Sequence, residues 1–139
     1  MKKALVVGIN NYPQDPLKGC INDASAFANT IEKNGDGSPN FDARLLTDIT
    51  TKSELMTAIV DLFNGESDIA LLYFSGHGFL DAKGGCLVTP DHQQNDEGVS
   101  MDTILKLAKM KTDTPGKFEG YFILKREISF LEEYLKSYN

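Results

Sequence analysis

Hydrophobic and polar positions alternate along this chain in blocks that read as strands and helices in turn. Ala4 to Ile9 is a continuous apolar run rich in β-branched residues, which suits a strand buried on both faces. Asn10 to Gly19, with two prolines, reads as a loop. Asn22 or Asp23 then caps a helix whose apolar residues, Ala24, Phe27, Ala28 and Ile31, recur at helical spacing until Asn34-Gly35. Ala43 to Leu46 is a short second strand. Thr51-Lys52-Ser53-Glu54 is a capping box before a buried stripe of Leu55, Ile59, Leu62 and Phe63, closed by Asn64-Gly65. Ile69 to Phe74 is a third buried strand. Gly84-Gly85 divides Phe79-Leu80 from Cys86-Leu87-Val88 as a small hairpin. Ser100 caps a helix from Met101 to about Met110, and Lys111 to Lys117, with Pro115-Gly116, reads as a loop. Gly120 to Leu124 has the pattern of a fourth strand. Ile128, Leu131, Tyr134, Leu135 and Tyr138 make an amphipathic last helix.

Strands alternating with helices predict an α/β fold: a three-layer sandwich with a mostly parallel sheet and helices on both faces. The flavodoxin-like strand order 2-1-3-4 is the expected one. There are no internal repeats and no dividing linker, so residues 1–139 are read as a single domain.

Composition narrows the function classes. The chain has 139 residues, 41% of them hydrophobic, enough for one real core. The formal charge is -6 and the cations are scattered, which argues against a nucleic-acid partner. No apolar stretch approaches the roughly 20 residues of a membrane span. Met1-Lys2-Lys3 with the short run after it resembles the start of a signal peptide, but the run is too brief and is read as the first strand. Two cysteines, Cys20 and Cys86, make no disulfide scaffold. The expectation is a cytoplasmic protein with no membrane contact.

The candidate chemistry follows from the topology. Sites in open parallel sheets form at the carboxyl ends of the strands where the order reverses, here between strands 1 and 3. The loop after strand 1 carries Asn10, Asn11, Tyr12, Cys20 and Asp23; the turn after strand 3 carries Ser75-Gly76-His77-Gly78. These two polar segments are expected to face each other. His77, flanked by glycines, is either a general acid–base group at a rim or a surface histidine in a tight turn. Cys20 is either a small buried hydrophobe or a thiolate activated by His77 and a helix start. Asp23 is most simply a helix cap; its sharper role is a carboxylate at the floor of a pocket for a cationic side chain. Cys86 reads as structural. His77, Asp91 and His92 are a conceivable metal set, although their spacing matches no strong ligand signature. A phosphate or nucleotide site at Gly8-Ile9-Asn10-Asn11 has only a weak cue, without a glycine-rich fingerprint or a P-loop lysine.

Three stretches together resemble a known family. Ala4-Leu5-Val6-Val7-Gly8-Ile9-Asn10-Asn11-Tyr12, then Leu17-Lys18-Gly19-Cys20-Ile21-Asn22-Asp23-Ala24, then Tyr73-Phe74-Ser75-Gly76-His77-Gly78 are similar to the caspase-like cysteine peptidases, especially the metacaspase branch. The resemblance runs over a core of residues 1–110 and leaves 111–139 as a divergent tail. It implies a caspase-like sandwich, truncated, and a cysteine endopeptidase acting on peptide or protein substrates. It makes His77 the catalytic histidine and Gly78 an oxyanion donor through its N–H. Cys20, Asp23 and Ser75 match the pocket for the residue before the scissile bond, where metacaspases favour Arg or Lys; a carboxylate such as Asp23 suits a guanidinium.

The departure is at the nucleophile. In the family that cysteine follows strand 4, and counting roughly 50 residues on from His77 reaches Glu127. The chain reads Tyr121-Phe122-Ile123-Leu124-Lys125-Arg126-Glu127 there, without a cysteine. Three readings follow: a non-catalytic interaction module, Cys20 as substitute nucleophile, or an altered product of a longer peptidase. As activity, the chain is expected to be inactive or impaired. A sheet that ends early also leaves an edge strand open to a second copy or a complementing chain. Calcium is a cofactor of many metacaspases, and Asp91, Asp96, Glu97 and Asp102 offer oxygen ligands, though solvated loop acids are the commoner explanation. No other cofactor is implied.

Overall fold

The computed structural model describes residues 1–81, 84–112 and 119–125. The elements run β1 (Lys2–Gly8), α1 (Cys20–Ile31), β2 (Asp42–Leu46), α2 (Lys52–Phe63), β3 (Ile69–Ser75), β4 (Gly78–Asp81), β5 (Gly84–Gln93), β6 (Asp96–Ser100), α3 (Met101–Thr112) and β7 (Glu119–Lys125). The main sheet has the order β2-β1-β3-β7 and is parallel throughout. Counting main-sheet strands alone, this is the expected 2-1-3-4, with β7 on the segment read as the fourth strand. The expected last helix, Ile128 to Tyr138, lies outside the described residues, as does 113–117 of the expected loop.

The sheet divides the core into two clusters. Ala4, Val6, Leu71 and Tyr73 face Ala24 and Ala28 of α1. On the other face Leu5, Val7, Leu72 and Phe74 pack with Leu55, Ile59 and Phe63 of α2, Met101 and Ile104 of α3, and Leu87 and Val99 of the small sheet. The alternation along β1 and β3 sends neighbouring residues to opposite faces, so both strands must be apolar throughout. Helices on both faces make the three-layer α/β sandwich expected from the sequence. Alanines let α1 lie close: a Cβ on Gly8 would come within 2.5 Å of the Cys20 carbonyl oxygen.

The small sheet, β4-β5-β6, is antiparallel. Its first hairpin is the expected one. β6 was not expected, and Asp91 and His92, read as loop, belong to the outer part of β5. Ser100 caps α3 as expected, with its Oγ accepting from Thr103 N at 3.1 Å. No described helix is long and apolar enough to cross a membrane.

Candidate active site

β1 and β3 are neighbours, with Gly8 opposite Ser75, so the segments that follow them leave the sheet side by side. Ile9 N extends the pairing by donating to Ser75 O at 3.0 Å. The two polar segments do face each other. Asn10 organises the first of them. Its carbonyl accepts from Tyr12 N and Leu17 N, closing the loop on itself. Its side-chain Oδ1 accepts from Cys20 N at 3.0 Å and Ile21 N at 3.3 Å. Those are first-turn donors of α1, which lack intrahelical partners. The expected cap at Asn22 or Asp23 is therefore corrected: the N-cap residue is Gly19, it makes no side-chain cap bond, and Asp23 lies inside the first turn.

His77 stands in the turn between β3 and β4, half-buried. Its Nε2 lies 2.7 Å from the carbonyl oxygen of Asp15. A carbonyl only accepts, so Nε2 carries the proton and, in the neutral ring, the basic lone pair is on Nδ1. Asp15 presents that carbonyl from a left-handed backbone conformation, φ 54°. Such a conformation costs about 1–2 kcal/mol for an L-residue, least for Asp and Asn. The Tyr12 ring stands 4.4 Å from the imidazole at 56°. Burial pushes the Tyr12 phenol well above its ordinary range, so it is a neutral hydroxyl. Gly76 makes room for it: a Cβ there would come within 2.5 Å of the phenolic oxygen. Gly78 follows His77 and opens β4, half-buried.

The remaining candidates lie towards the α1 face. Cys20 is the first residue of α1 and is only 1% exposed. Ser75, at the end of β3, is fully buried beside Tyr73. Tyr73 shares that face, and burial first, then Asp23 and Cys20 nearby, raise its phenol above the ordinary range. Cys20, Asp23, Tyr73 and Ser75 are thus brought together. Among the described residues no hydrogen bond joins the Cys20 thiol to His77. Cys86 is buried on β5, opposite Phe79 and Ser100. On the other side of His77 a cleft of about 320 Å³ opens between the β1–α1 loop and the outer β5–β6 hairpin, lined among others by Gln14, Asp15, Phe79, His92, Gln93 and Glu97.

The acidic residues considered for metal are engaged separately. Asp91 Oδ1 accepts from Lys52 N at 2.9 Å, capping α2, and from the Thr89 hydroxyl at 2.7 Å. Asp96 pairs with Lys52 Nζ at 2.8 Å, Glu97 accepts from Asn95 N, and Asp102 pairs with Lys106. His92 shares the cleft with His77, while Asp91 is turned to α2. Among the described residues no three His, Cys, Asp or Glu side chains are grouped to hold a metal ion.

Asp15 escaped the sequence reading because it acts through its main chain. The one signal was its place before Pro16 in a turn-rich loop. The specific duties of Asn10 and Tyr12 also needed the fold.

No curated protein matches the chain. The family model of the caspase domain, peptidase C14, matches residues 1–124. That match spans the loop after β1, the His77 turn and all of β7 but Lys125, and it agrees with the sheet order and the two-faced helical packing. The chain belongs to the caspase-domain family of peptidases.

Proposed function

We propose that this chain is a metacaspase-type peptidase domain that recognises Arg or Lys before a scissile bond and is inactive or severely impaired in hydrolysis. The observation that carries the reading is the His77 imidazole, held through Nε2–H by the Asp15 carbonyl at 2.7 Å with Nδ1 left as the base. In a cysteine peptidase such a base takes the thiol proton, and as imidazolium returns it to the leaving amine. Gly78 N–H is the proposed oxyanion donor. Asp23, beside Tyr73 and Cys20, is the proposed carboxylate for the substrate cation, with Ser75 lining the same pocket.

The impairment rests on register and sequence. Lys125 pairs with Ser75, so β7 ends beside the strand that leads into the His77 turn, yet no cysteine occurs after Cys86. Without a thiol at that point the proton transfer has no nucleophile to serve. Cys20 is the alternative thiol, approaching from the α1 side. Fluorogenic peptides ending in Arg, Lys or Asp before the reporter, with and without calcium, test this. The expected result is no cleavage by the wild type, Cys20→Ala or His77→Ala. Cleavage after Arg or Lys, lost in both variants, would reject impairment and make Cys20 the nucleophile. Cleavage after Asp alone would reject the proposed pocket.

A second reading, a pseudo-peptidase that pairs with itself or another chain, is favoured by β7, which is the last strand of the main sheet among the described residues. Its expected outcome is a mass by size exclusion that rises with concentration; a strict monomer at high concentration would count against self-pairing. The proposed compartment is the cytoplasm.

A further inference from the structure

The β4–β5 hairpin is irregular at His77. In a hydrogen-bonded pair of an antiparallel ladder, two residues exchange both N–H···O=C bonds. Gly78 pairs with Leu87 and Phe79 with Cys86, which makes His77 and Val88 the next pair. One of their bonds is direct, Val88 N donating to His77 O at 3.0 Å. The other is relayed. His77 N–H donates to the Tyr12 hydroxyl at 3.0 Å, and that hydroxyl donates to Val88 O at 2.9 Å. A side-chain oxygen from the loop after β1 is inserted into the ladder and satisfies both main-chain groups.

The same side chain acts on His77 a second time, because its ring stands 4.4 Å from the imidazole. The same loop supplies the Asp15 carbonyl that binds Nε2. We propose that Tyr12 is the positioning residue of this site: by replacing a ladder bond it sets where the His77 imidazole meets the Asp15 carbonyl. The relevance to catalysis rests on the reading of His77 as the acid–base group, but the test does not require turnover. Without the hydroxyl, His77 N and Val88 O either close into a direct bond, drawing His77 towards β5, or stay in place and unpaired. Closure into a direct bond displaces the ring from Asp15, whereas groups that stay in place leave it there and count against the proposal.

Nuclear magnetic resonance of ¹⁵N-labelled protein tests this in the wild type, Tyr12→Phe, Tyr73→Phe and His92→Gln. The chain has two histidines, so His92→Gln assigns the ring signals of His77. The wild type is expected to show a slowly exchanging His77 Nε2–H resonance. In Tyr12→Phe that resonance is lost, with native circular dichroism. Tyr73, buried on the opposite face of the sheet, provides the control: Tyr73→Phe keeps the ring resonance whatever it does to the melting temperature. A folded Tyr12→Phe with the Nε2–H signal unchanged overturns the proposal, and so does equal loss in Tyr73→Phe. Should Tyr12→Phe fail to fold, the wild type decides. A Tyr12 hydroxyl proton with a nuclear Overhauser contact to the His77 amide supports the insertion, and absence of that contact overturns it. Failure of the wild type to bind Arg and Lys peptides would strike the functional reading and leave these signals unaltered.

Discussion

α1 and α2 begin in contrasting ways. At α2 the chain caps itself: Thr51 Oγ1 accepts from Glu54 N at 3.1 Å, while Glu54 Oε1 accepts from the Thr50 and Thr51 hydroxyls at 2.9 and 3.1 Å. Asp91, from β5, adds a bond to Lys52 N. At α1 the helix offers no cap of its own, and Asn10, ten residues upstream, supplies it. A locally capped helix starts where its sequence says. A remotely capped one starts where the fold puts the capping group, so α1 is coupled to the loop that serves His77 and α2 is not.

That contrast can be broken by removing each cap. Asn10→Ala is expected to cost about 2 kcal/mol, because two part-buried N–H groups lose their acceptor together. Amide exchange at Cys20 and Ile21 should accelerate with it. Thr51→Ala should cost about 1 kcal/mol, confined to the first turn of α2. Denaturant melts of both variants decide, and a larger loss in Thr51→Ala would remove the distinction.

A smaller effect sharpens it. The hydroxyls of Thr50 and then Thr51 hold the Glu54 carboxyl below its ordinary value of about 4.5. The folded state therefore binds that proton less readily than the unfolded state, and the stabilisation is fully present above the ordinary value. It is lost as pH falls through the lower folded value. Glu54 is exposed, so the effect is slight and shrinks with salt. The melting-temperature gap between wild type and Glu54→Gln should be constant above about pH 5.5 and narrow below the ordinary carboxylate range. A gap that widens on acidification would contradict the bonding at α2.

The same contrast explains what could be read from the chain alone. β1 and β3 are buried on both faces, so their apolar runs were plain, and the caps at Thr51 and Ser100 are local signals. The segment of β7 was legible as a strand for the same reason. β6 was not, because only Val99 of Asp96–Ser100 is buried and one apolar residue sets no period. The outer part of β5 hid likewise behind Asp91, His92 and Gln93, whose half-exposed alternation looks like a loop. In the site, the meeting of the His77 turn with the loop after β1 followed from strand order. The tautomer of His77 did not follow, since it depends on a main-chain oxygen of Asp15.

The Tyr12 hydroxyl has a consequence for the order of folding. Its partners lie 65 and 76 residues further along the chain, so both bonds close very large loops. Loop-closure entropy delays such contacts, whereas a tight hairpin such as β4–β5 needs only its own neighbours and forms within microseconds in isolation. His77 therefore rides on an early element but gains its place beside the Asp15 carbonyl only when β1 and β3 have paired. A chain with its helices and the small hairpin formed would still lack the placed imidazole until the main sheet pairs.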